Sequence, residues 1–185
     1  MGQAGSQNNK CKNRPFLEEV SGEDALVILR RLANEDKEIA AKIEKIVKEV
    51  LSEVDSESIA EEVFWDLSRI EVEELWERSG RTRNEYIEPV EMAWTMIEET
   101  LQEYLEQFDR LQRLLMFNQA KECLLGIIMG LYMFDTDSET QFKNWAVDVP
   151  EQFAQHIISE WVKLNQDAIN DIRELLEERC PNWFL

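Results

Sequence analysis

Glycine and proline are scarce in this chain, with six and four among 185 residues. So few turn-formers exclude an all-β sandwich or barrel, whose many short strands need tight turns. The three cysteines, Cys11, Cys123 and Cys180, are far apart, odd in number and without CxxC spacing. That argues against a disulfide framework and for a reducing compartment. There is one histidine, His156. The longest apolar run, Cys123 to Phe134, falls well short of the roughly 20 residues that cross a bilayer. The stretch from Met1 to Arg14 has no apolar core of the kind a signal peptide needs. Positive charge is also short: 20 basic residues face 39 acidic ones, for a net charge of −19 and a pI near 4.4. Such a surface repels nucleic acid backbones and anionic membranes. The expectation is a soluble cytoplasmic protein without membrane contact, for which nucleic acid is an unlikely partner.

What is present is helical periodicity. Hydrophobic residues make up 44% and charged residues 32% of the chain, a balance that supports a packed core. The first segment, MGQAGSQNNKCKNR, is polar and carries Lys10, Lys12 and Arg14 without an acid; residues 1–20 are read as a disordered tail. From Ser21 onward apolar residues recur every three or four positions. Leu26, Leu29, Leu32 and Ala33 form one stripe behind a Ser21–Asp24 cap. Ile39, Ile43, Ile46, Val47, Val50, Leu51 and Val54 form the clearest stripe. A third helix follows Asp55 or Ser56, with Ile59, Val63, Phe64 and Leu67 inward, and a short one from Val72 to Arg78 stops at Gly80. Pro89 opens a long helix running to about Phe117, and Asn118 caps one that is apolar nearly all round, hence central. DTDSETQ is read as a loop, Ser138 to Gln141 as a capping box, and Phe142 to Ala146 as one turn. Pro150 opens the last helix, which breaks near Asn165 and stops at Pro181. No strand is expected. The fold class is all-α: an irregular multi-helix bundle or short helical-repeat array of about six to eight helices, with residues 21–185 as one helical domain.

The residue types that carry chemistry do not converge. His156 has no second and third donor at helical spacing, and is read as bonded to Glu160. DTDSET fails as a calcium loop, because its sixth and twelfth positions are Thr140 and Ala146. No phosphate-cradling glycine loop and no nucleophile signature occurs. Paired carboxylates are too abundant for any one pair to be informative. No catalytic residue, metal or cofactor is therefore expected. Gly126 and Gly130 form GxxxG in the apolar helix, read as a close helix–helix approach.

One cluster stands out. Arg78, Arg81 and Arg83 fall within six residues in an otherwise acidic body, beside Tyr86 and Glu88. Either the guanidiniums fork onto neighbouring carboxylates and tie the loop down, or two of them point outward as an anion-binding spot. Trp65, Trp76 and Trp145 fall off the main stripes or beside loops, and are the tryptophans expected at a partly exposed surface.

The segment ELWERSGRTRNEYIEPVEMAW, continued by CLLGIIMGLYMFDTDSETQFKNWAVDVPEQF, resembles a family of small prokaryotic all-helical proteins with an LWxRSGRTRxxYxEP-type motif. The resemblance covers roughly Ile59 to Trp161, departing at Asn84. It implies no activity, substrate or cofactor, and marks Arg78, Arg81, Arg83, Tyr86 and Glu88 as candidate binding positions. The function expected is a binding or scaffolding module whose partner is another protein, in preference to an enzyme. The alternative is an anion- or phosphometabolite-binding protein or enzyme that uses the Arg78/Arg81/Arg83 loop. An acidic body could also mimic nucleic acid toward a basic partner.

Overall fold

The computed structural model describes residues 19–81, 86–165 and 169–183. The expected tail, except for Glu19 and Val20, and Cys11 with it, lies outside the described residues. Among the described residues the fold is mostly helical, at 79%, with eight α-helices. It divides into two compact units, residues 1–50 and 51–185, so the division falls near the end of the second helix.

In the first unit, α1 spans Gly22–Glu35. Its cap is the one the Ser21–Asp24 spacing predicts, with the Asp24 amide donating to Ser21 Oγ at 3.1 Å. Asp36 is extended (φ −143°) and ends α1. Its Oδ1 then accepts from the Glu38 amide at 2.7 Å, so one residue stops one helix and starts α2, Lys37–Leu51. No residue of α1 or α2 is buried.

The second unit begins with Asp55, whose carboxylate accepts from the Ser58 amide at 3.0 Å and opens α3, Ser56–Ser68. Ile59, Ala60, Val63 and Leu67 face inward, while Phe64 is only half-buried. The short α4, Val72–Arg78, buries Val72 and Leu75. Gly80 follows in the left-handed region (φ +89°), where a side chain would be strained. Here the structure corrects the expectation of no strand. Gly80–Arg81 (β1) and Tyr86–Ile87 (β2) pair antiparallel, Gly80 opposite Ile87 and Arg81 opposite Tyr86. Two residues per strand are too few for an alternating pattern to register in sequence.

Pro89 sits at the start of α5, Pro89–Arg113, as expected. The helix ends before Phe117 because Leu115 turns left-handed (φ 58°) and the Met116 amide donates back to the Leu111 carbonyl at 3.0 Å. α6, Phe117–Asp137, has Met116 and not Asn118 as its N-cap residue. It also takes in the DTD of the expected loop. Buried Phe134 carries the helix forward, Thr136 Oγ1 donates to the Tyr132 carbonyl at 2.9 Å, and Ser138 then ends the helix. Ser138 caps no new helix either. Its Oγ accepts from the Thr140 amide at 3.4 Å, and Gln141 precedes the 3₁₀ turn Phe142–Trp145. α7, Val149–Leu164, and α8, Ile169–Arg179, complete the unit.

α6 is the central element, packing against α3, α5, α7 and α8. Its most extensive partner is α3, and the two glycines set that approach. A Cβ at Gly126 would stand 2.7 Å from Ile59 Cβ and 2.8 Å from the Ser56 carbonyl. At Gly130 it would stand 2.5 Å from Val63 Cβ and 2.8 Å from the Ala60 carbonyl. The GxxxG pair is therefore a backbone-to-helix contact inside the core. Cys123 is buried in the same helix, and desolvation pushes its thiol up to about 12. Cys180, also buried and free, behaves alike.

Candidate functional site

The arginine cluster is split by the structure. Arg78, at the end of α4, forks onto Glu99 of α5, with Nη1 and Nη2 donating to the two carboxylate oxygens at 2.7 Å each. Nη1 also reaches Glu74, one turn back, at 3.2 Å. The hydrogen bond to Glu99 holds the Arg78 pKa above its ordinary value and the Glu99 carboxyl below its own. Arg78 is thus the tie between α4 and α5. Arg81 and Tyr86 are exposed and face each other across the two-residue ladder. Glu88 is exposed and precedes α5 without a side-chain capping bond. Arg83 lies outside the described residues.

The three tryptophans singled out from sequence are all at the surface. Trp65 is 59% exposed, Trp76 47% and Trp145 38%. Trp76 on α4 and Trp145 on the 3₁₀ turn stand edge to face, with ring centroids 4.3 Å apart and planes at 75°. The local reason is simple. α4 turns Val72 and Leu75 inward, which leaves Trp76 on its outer side, and buried Phe142 and Ala146 fix the 3₁₀ turn that presents Trp145. Exposed Val147 lies two positions further on.

A second arrangement was missed in the sequence. Trp65 lies in an open groove of about 490 Å³ lined by Ser58, Glu61, Glu62, Asp66, Arg69 and Tyr104. Tyr104 donates to Asp66 at 2.7 Å, and Arg69 Nη1 donates to the other carboxylate oxygen at 2.8 Å. Burial, then the bond to Asp66, pushes the Tyr104 phenol well above the ordinary tyrosine range, so it stays a donor. The only sequence signal was the Arg69–Asp66 spacing on one helix face. Tyr104 is 38 residues away and reads as part of a core stripe.

His156 is exposed and stands edge to face with Trp94 at 6.1 Å. Its expected partner, Glu160, instead accepts from Lys163, which lies on the same side one turn on. Among the described residues, no three His, Cys, Asp or Glu side chains converge to hold a metal. None of the described helices is long and apolar enough to cross a membrane. No protein-family model, no curated protein and no solved structure matches the chain.

Proposed function

We propose that this protein is a binding or scaffolding module whose contact surface centres on Trp76 and Trp145. The observation that supports this reading is the edge-to-face pair itself, two large aromatic rings held together at the surface of a folded unit. Tryptophan is the residue type that contributes most at interface hot spots, and a rigid pair loses little side-chain entropy on binding. The residues from 51 to 185 hold 30 acidic and 11 basic side chains, a net of −19, so the partner surface is basic or neutral. The family resemblance adds a motif that includes Trp76 but no activity. The competing anion-binding reading is weakened because Arg78 already bonds Glu99 and Glu74.

The test is crosslinking capture from native extract with the wild type and the W76A/W145A variant, each first checked for the same thermal midpoint. A protein captured by the wild type and lost with the variant is the expected result. Identical capture by both would remove the tryptophan pair as the contact surface.

A further inference from the structure

We infer that the chain pairs with a second copy of itself through α2, the two helices running antiparallel. The starting point is an unmet need for burial. α1 and α2 are 14 and 15 residues long and contain no buried residue, and isolated helices of that length are marginal in water. On α2, Ile46, Val47 and Val50 are 57%, 38% and 65% exposed, while Ile39 and Ile43 are half-buried. On α1, the run Leu26 to Leu29 is exposed throughout, with Leu32 beyond it.

The spacing on α2 points to its own copy as the occupant. Ile39, Ile43, Ile46 and Val50 are separated by four, three and four positions, the a/d seam of a coiled-coil pair. Turned antiparallel, this row meets itself. Ile39 lies opposite Val50, and Ile43 lies opposite Ile46, about a two-fold axis between positions 44 and 45. Every layer then sets one β-branched side chain against another, and Ala40 and Val47 widen the apolar face. The flanks match as well. The same superposition brings Lys42 of one copy beside Glu49 of the other, twice by symmetry, while Glu49 keeps its own-helix partner Lys45 at 3.6 Å. Such self-complementarity is what a two-fold interface requires.

Charge separates this surface from the rest of the chain. Residues 1–50 contain nine basic and nine acidic side chains, so the whole net charge of −19 belongs to residues 51–185. Two copies that met through that acidic part would repel, whereas α2, with four lysines and three glutamates, brings together nearly balanced, interspersed charge.

Sedimentation velocity on the full chain tests the proposal. The wild type is expected to sediment as a dimer, at twice 21.9 kDa, and I43K/I46K as a monomer that still melts cooperatively, at a lower midpoint. A second pair of variants reads the orientation without touching the seam. K42E sets acid against acid and is expected to weaken the dimer about tenfold, and K42E/E49K to restore most of that loss. A monomeric wild type, or a dimer that persists in I43K/I46K, overturns the proposal; the first result would mean that the α2 face is covered by this chain's own body or by another protein. A K42E/E49K dimer weaker than that of K42E overturns the antiparallel arrangement.

Discussion

Arg78 closes on Glu99 across 21 positions of sequence with two parallel 2.7 Å hydrogen bonds, a fork-to-fork geometry that a lysine cannot reproduce. Both partners are partly exposed, with side chains 31% and 53% accessible, so solvent screens the pair. R78A and R78K are each expected to cost about 1 kcal/mol, and R81A close to nothing. The pH dependence has a definite sign. Glu99 titrates below its ordinary value in the folded chain. The contribution of the pair is therefore complete above the ordinary carboxylate range and disappears as pH falls through the depressed value. Urea melts of the wild type and R78A should differ at neutral pH and converge in acid. A difference that persists in acid would mean that Arg78 acts by packing and not by charge.

Alanine at Gly130 or Gly126 should be destabilising despite alanine's better helix propensity. The new methyl group meets a carbonyl oxygen at 2.8 Å in each case, and backbone cannot rotate away as a side chain can. A cost of about 3 kcal/mol is expected at either site, against a gain of about 1 kcal/mol from propensity alone. Gly22, with nothing within 4 Å of its added Cβ, is the control that should show no loss. Chemical denaturation of the three variants decides it; equal stability of G130A and G22A would contradict the close approach.

Leu115 is 72% exposed and left-handed at φ 58°, a conformation that costs a branched side chain and not glycine. It gains nothing from burial to offset the strain. L115G is expected to stabilise the chain by about 1 kcal/mol, raising the thermal midpoint by a few degrees. A lower midpoint would show that the leucine side chain makes a stabilising contact.

Long-range order was least legible in the sequence. The stripes of α3 and α5 could be read because burial on one side of a helix repeats every three to four residues, α6 because it is apolar nearly all round, and the caps at Ser21 and Asp55 because they are local chemistry. The outward tryptophans were legible for the complementary reason, that they break the stripe. Glu99 could not be picked out as the partner of Arg78, since it is one of 39 acids and nothing local marks it. Tyr104 was hidden inside an apolar stripe, although its hydroxyl leaves that stripe to reach Asp66. The polar DTD was misread as a loop because its helix is continued by Phe134, whose burial is a property of the assembled core.

The two glycines of α6 also restrict how the second unit can move. Gly126 and Gly130 sit over Ile59 and Val63, four residues apart on both helices. Sliding α6 along α3 by that repeat, about 6 Å, would put Glu122 or Phe134 where only a hydrogen fits. The seam behaves as a toothed rack with one engaged position, so piston motion is blocked and small rocking about the contact is the motion left. Any message that binding at one end of this bundle sends to the other would travel as a tilt of helices and not as a shift in their register.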